Sequence, residues 1–134
     1  MIKNITRYNA KDCSITIDGV FITGLGENMI SFEKEEAFFN STVGAQGDII
    51  KSEINNSIYN LTLTVQPTSP QLPYLLKLMG QSSTFSIWVT NKTLGMRMGG
   101  SEANIAEMPS IELGAEASDI EINITVFDGV LESI

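Results

Sequence analysis

The alternation of Tyr59, Leu61, Leu63 and Val65 with Asn60, Thr62, Thr64 and Gln66 constrains this chain more than any other feature. Strand side chains point to opposite faces with a period of two, so the pattern predicts one row in a core and a neutral polar row outside. It recurs near the end, where Ile120, Ile122, Ile124 and Val126 alternate with Glu121, Asn123 and Thr125. Shorter copies occur at Ser14-Ile15-Thr16-Ile17 and at Phe85, Ile87 and Val89 against Ser86, Trp88 and Thr90. Asp18-Gly19 is a turn pair, Val20-Phe21-Ile22 follows it, Gly24 to Asn28 breaks the chain, and Met29 to Glu33 begins a further strand. Asn91-Lys92 turns the chain into Leu94 to Met98, Gly99-Gly100 interrupts it, and Ile105 to Leu113 is a weaker extended segment around Pro109. One short helix is expected at about 70–79, with Thr68-Ser69-Pro70 as its start and Leu72, Leu75, Leu76 and Met79 at helical spacing. Because Pro73 removes a backbone donor, regular helix starts either at Pro70 or only at Pro73. Gly80 stands where a C-terminal cap belongs. At 134 residues the chain is one domain, 1–134. It is mainly β: an antiparallel sandwich or small barrel of about seven or eight strands with one flanking helix.

Ala37 to Asn56 joins two strand-like segments with far more residues than the usual connection of about 4–6. It carries Phe38, Phe39, Val43, Ile49 and Ile50 among Asn40, Ser41, Thr42, Gly44 and Gly47, an apolar load that a solvated linker avoids. Two readings fit this long arm, spanning about 37–56. It folds over its own subunit as an Ω-loop, or it buries those side chains on another chain.

Charge narrows the partners. The formal net charge is −8, no Lys or Arg follows Arg97, and Glu102, Glu107, Glu112, Glu116, Asp119, Glu121, Asp128 and Glu132 all do. Holding a phosphate backbone requires cations that displace counterions, so nucleic acid is repelled. The plain alternative is an acidic surface that keeps the chain soluble. The start of the chain lacks the apolar core of a signal peptide, and no apolar run approaches the roughly 20 residues that span a bilayer. The expectation is a soluble protein made in the cytoplasm and not bound to a membrane. Cys13 is the only cysteine, which precludes an internal disulfide and suggests a buried or half-buried thiol.

Catalytic arrangements are scarce. Without histidine the chain lacks the usual general base, the usual zinc ligand and every Ser-His or Cys-His pair. Gly99-Gly100-Ser101-Glu102-Ala103 lacks the last glycine of a nucleophile elbow, and Gly24-Leu25-Gly26 lacks the third glycine of a dinucleotide loop. Glu33 and Glu35 share a strand face while Glu36 points away, which reads as a solvated strand end and not a calcium site. No metal, cofactor or enzymatic activity is expected. Asn-x-Ser/Thr patterns at Asn4, Asn40, Asn55, Asn60, Asn91 and Asn123 reflect an Asn- and Thr-rich composition, since Asn60 and Asn123 fall inside strands.

The order of elements resembles the tail tube proteins of contractile-tailed bacteriophages and, more distantly, the tube proteins of type VI secretion and of phage-derived bacteriocins. It is carried by the strand pair around SITIDGVFITG, the strand MISFEKEE leading into the apolar arm, the strand IYNLTLTVQ, the helix SPQLPYLLKLMG and the closing strand DIEINITVF. The resemblance implies a β-sandwich with a flanking helix, hexameric rings stacked into a hollow tube, and inner strands merged into one lumenal barrel. It implies an arm reaching the adjacent ring through Phe38, Phe39, Val43, Ile49 and Ile50, and Thr62, Thr64, Glu121 and Asn123 facing the lumen. It further implies a virion protein that assembles in the host cytoplasm, with sheath, baseplate and tail-terminator partners. DNA would pass without specific binding. Six copies at −8 each give −48 per ring, which would repel DNA from an acidic wall. Other classes remain open: another virion or secretion-apparatus sandwich, a carbohydrate-binding sandwich with exposed aromatics, or a glycosidase using paired carboxylates.

Overall fold

A computed structural model describes residues 5–134. The strands are β1 (Cys13–Ile17), β2 (Val20–Phe21), β3 (Leu25–Lys34), β4 (Phe39–Val43), β5 (Ile49–Glu53) and β6 (Tyr59–Val65). After helix α1 (Leu72–Leu78) come β7 (Phe85–Asn91), β8 (Met96–Ile105), β9 (Ile120–Val126) and β10 (Val130–Ser133). The ten strands exceed the seven or eight expected, because the arm is itself two strands and β10 follows the last anticipated one. Ile105 ends β8, and the segment after it runs as loop apart from one isolated Leu113–Ala117 bridge.

Eight strands form one antiparallel sheet in the order β2-β1-β7-β8-β9-β6-β3, with β10 beside β8. Ile15 and Ile17 of β1 share one buried cluster with Leu61, Leu63 and Val65 of β6, although β7, β8 and β9 separate those strands in the pairing order. The sheet therefore curls over its own inner face. Leu75 and Leu78 of α1 join the same cluster, while Leu76 is 44% exposed. Of Leu72, Leu75, Leu76 and Met79, which spacing suggested, Leu75 is buried and Leu72 and Met79 pack partly against the core, while Leu78 takes the inward place expected of Leu76.

The helix is also shorter than expected because its approach is used elsewhere. The Ser69 hydroxyl donates to the Thr23 carbonyl at 2.6 Å and does not cap the helix. Gln71 Oε1 accepts from the Thr23 amide at 2.8 Å and from its hydroxyl at 2.7 Å. These bonds clamp the β2–β3 connection onto the start of α1. At the opening turn, Asp18 (φ 48°) and Gly19 (φ 81°) both adopt the left-handed conformations of a tight hairpin. Ser86 fixes that turn by donating its amide (2.9 Å) and hydroxyl (3.1 Å) to Asp18 Oδ1.

Strand β8 bends where it changes partners. Met96–Gly99 pairs with β10, and Ala103–Ile105 pairs with β9. Against β7, the step from Gly100 to Ala103 faces only Ile87 to Phe85, so one extra residue bulges from the ladder. Asp128 satisfies the amides freed there, accepting from Ser101 N at 3.2 Å and Glu102 N at 2.9 Å and also from the Ser101 hydroxyl. Partial burial pushes the Asp128 carboxyl up, but these hydrogen bonds outweigh it and hold the carboxyl below its ordinary value.

Candidate assembly surface

β4 and β5 pair only with each other, through rungs Phe39–Glu53, Asn40–Ser52, Ser41–Lys51, Thr42–Ile50 and Val43–Ile49. The arm is therefore neither an irregular segment nor an Ω-loop against its own subunit, and Phe39 does occupy a sheet position. Gly44 N donates to the Asp48 carbonyl at 2.7 Å and Gly47 takes φ 93°, which closes the tip. At the base, Ile54 N donates to the Phe38 carbonyl at 2.9 Å. Lys34 Nζ secures that end by donating to the carbonyls of Glu36 (2.9 Å) and Asn56 (2.8 Å), and it also lies 5.1 Å from the Phe38 ring centre.

All ten residues of β4 and β5 are exposed. Opposed residues in an antiparallel pair share a face, so Phe39, Val43 and Ile49 stand on one side with Ser41, Lys51 and Glu53. Ile50 stands on the other with Asn40, Thr42 and Ser52, and Phe38 precedes this row in the alternation. Phe38, Val43, Ile49 and Ile50 are between 65% and 72% exposed. Lys51 Nζ lies 4.6 Å from the Phe39 ring centre. A two-stranded ribbon with apolar side chains on both faces has no core of its own to bury them.

The outward row of β6 and β9 has a different character. Thr62 opposes Asn123, and its hydroxyl lies 3.2 Å from Asn123 Oδ1; Asn123 Nδ2 donates to Glu107 Oε1 at 3.1 Å. Glu121 and Asn123 line an open cleft of about 500 Å³ with Glu107, Glu112 and Asp119. Thr64, opposite Glu121, is only 7% exposed. Gly26 and Asp119 lie over it, so closely that a Cβ at Gly26 would fall 2.7 Å from Thr64 Cγ2 and 2.5 Å from Asp119 Oδ2. The acidic surface on this side therefore includes Thr62, Glu121 and Asn123 but not Thr64, which the alternation had placed outside.

Other features bear on assembly or chemistry. β3 and β2 end the sheet, so one side of the long strand β3 has no partner among the described residues. Arg97 stacks on Trp88 at 3.7 Å and bridges to Glu132 at 3.0 Å on the outer face. Cys13 is half-buried, and burial pushes its thiol up. Among the described residues no cluster of three His, Cys, Asp or Glu side chains is placed to hold a metal ion, and no helix is long and apolar enough to cross a membrane. Asn60 and Asn123 lie in strands, Asn91 is buried, and Asn4 lies outside the described residues. Sequence reasoning did not anticipate β10 or the role of Asp128. Asp128-Gly129 is a turn signal, but it gives no hint that the next strand pairs with β8.

No family model matches the sequence, and no curated protein matches it. Solved structures do match in fold. A chain of the extracellular contractile injection system PVC, from its sheath-tube complex in the extended state, aligns with TM-score 0.64 at 15% identity over 96% of this chain and 93% of that one. The cap that terminates the tube of the anti-feeding prophage aligns with TM-score 0.60 at 13% identity over 100% and 96%. A chain of the PVC sheath/tube terminator aligns with TM-score 0.58 at 16% identity over 96% and 99%. The chain therefore shares its fold, along nearly its whole length, with these chains of contractile injection systems.

Proposed function

We propose that this chain is a non-enzymatic structural subunit of the inner tube of a contractile tail, assembling as stacked homohexameric rings around a hollow channel. The observation that carries the reading is the free β4–β5 hairpin, apolar on both faces and entirely exposed, within a fold shared along its length with contractile injection components. Phe38, Phe39, Val43, Ile49 and Ile50 bury against an adjacent ring. The unpaired edge of β3 joins neighbours within a ring, which removes an exposed edge as barrel closure does. Thr62, Glu121 and Asn123 face the lumen, where an acidic wall lets phage DNA slide without holding it. Sheath, baseplate and terminator proteins are the other partners, and the tube resides in the virion after assembly in the host cytoplasm.

A second reading, a ring that caps the tube, is favoured by the likeness to the anti-feeding prophage cap across the whole chain. Light scattering and negative-stain images of the purified protein at rising concentration separate them. A tube subunit gives rings that lengthen into tubes, and a cap stops at one ring. A protein that stays monomeric throughout contradicts both. For the lumen, the unmodified protein should not shift DNA in a gel at physiological salt, and Glu121→Lys should create salt-sensitive retention without blocking assembly. Tight DNA binding by the unmodified protein would exclude an acidic conduit.

A further inference from the structure

A pocket of about 290 Å³ opens between β3 and the β7–β8 wing, with Met29, Met96, Met98 and Val89 on its walls, Cys13 beside them and Glu27 as its one charged lining residue. It exists because β3 departs from its ladder. Leu25 pairs with Val65 and Ile30 with Leu63, so the residues between are looped out of register and carry Glu27 and Met29. An apolar cavity of about 150 Å³ already admits a benzene-sized ring, so a phenyl group fits here. Thioethers also make favourable contacts with aromatic rings.

The same chain carries the complementary piece. Phe39 stands exposed on the hairpin with the Lys51 ammonium 4.6 Å from its ring centre, so an aromatic ring and a cation are presented together. The hairpin leaves β3 at Lys34, while Glu27 lies seven residues back along that strand, up to about 23 Å away at about 3.3 Å per residue. Hairpin and pocket are therefore displaced from each other along β3, with Glu27, Met29 and Ile30 lining the pocket and Lys34 leading into the hairpin. A contact between them would run from the hairpin of one copy to the pocket of the next, head-to-tail and repeating from copy to copy.

We propose that Phe39 of one copy inserts between Met29, Met96 and Met98 of the next, with Lys51 of the first pairing with Glu27 of the second. This rests on the tube reading and identifies the surface that receives the arm.

Cys13, in the pocket and the only native cysteine, makes the contact testable. In Ser41→Cys, which keeps Phe39 and lies on the same hairpin face beside Lys51, a short bismaleimide at mildly alkaline pH should join copies into a ladder of covalent oligomers on denaturing gels, since each chain offers one thiol at the hairpin and one at the pocket. Adding Cys13→Ser should reduce that ladder to dimers at most, and Asn40→Cys, on the opposite hairpin face, should give little ladder. Independently, Lys51→Glu and Glu27→Lys should each raise the concentration for half-assembly about tenfold, and the two together should restore it. Absence of the ladder while wild-type protein assembles normally, or a charge-swapped pair no better than either single variant, overturns the docking and leaves the tube reading intact. Wild-type protein that remains monomeric by light scattering overturns both.

Discussion

The β4–β5 and β6–β9 pairs are antiparallel ladders of five and seven rungs, yet one has no buried residue and the other buries its whole apolar row except the half-buried Tyr59. The presence of strand-forming residues does not explain this, since both pairs contain Ile, Val and Thr. Pattern does. In β6 and β9 every second residue is apolar, so one face meets the core, whereas the apolar residues of the hairpin are divided between its two faces. A chain can bury one face of a ribbon in its own core. Burying both requires something on each side, and all ten hairpin residues are exposed in the chain as described.

Core truncation gives the largest expected effect in that contrast. Leu63→Ala, at a site with 0% exposure, should cost about 2–5 kcal/mol in denaturant unfolding. Phe38→Ser with Phe39→Ser should leave the global unfolding midpoint in place while abolishing assembly. If the double variant loses its far-ultraviolet circular dichroism, the hairpin is part of the folding unit and the contrast fails.

The same change at two glycines sharpens the comparison. A Cβ at Gly99 (φ 134°) would fall 2.0 Å from the Ile87 carbonyl oxygen, a backbone atom held by the ladder, whereas Gly47 at the hairpin tip has open space around it. Gly99→Ala should therefore cost about 1–3 kcal/mol or more, and Gly47→Ala only about 1–2 kcal/mol of local strain within the hairpin. Equal losses of global stability would mean that the tip is coupled to the core.

A pH experiment probes the bend of β8. Because Asp128 titrates below its ordinary value in the folded chain, its contribution is fully present above the ordinary carboxylate range and disappears as pH falls through the lowered folded value. Asp128→Asn should be less stable than wild type by a constant margin from neutral pH to about pH 5, and the margin should shrink only in more acidic solution. A margin unchanged to low pH would show that the ionised carboxylate is not what holds the Ser101 and Glu102 amides.

The smallest effect belongs to the outward row. Thr62→Ala removes one exposed contact with Asn123 and should change stability by no more than about 0.5 kcal/mol. Thr64→Ala should cost more, because Thr64 is covered by Gly26 and Asp119. Identical tolerance at both positions would contradict that cover.

Much of the core was legible in advance. Leu61, Leu63, Val65, Ile120, Ile122, Ile124 and Val126 are all at or below 4% exposure, as their period-two spacing requires. The turn at Asp18-Gly19 was legible because positive φ selects such residues locally. The arm was legible as an apolar segment, but its hairpin form was hidden: its tip has no two-residue turn signature, and its apolar residues do not alternate. For the candidate surface, the alternation brought out Thr62, Glu121 and Asn123 together but misplaced Thr64. The Met-lined pocket was invisible, since Met29, Val89 and Met98 come from strands far apart in sequence.

What the sequence determined by itself were the main core strands, the apolar facing of the two principal rows, the Asp18-Gly19 turn and the acidity of the final third, because each depends on neighbours within a few residues. Tertiary structure alone decided that β8 divides its edge between β10 and β9, that Asp128 satisfies the bulge where it does so, and that Ser69 serves Thr23 and not the helix. It also decided that an out-of-register stretch of β3 opens a pocket. The physical reason is that strand pairing is a choice among distant partners with similar local preferences, settled only when the curled sheet closes over a common core.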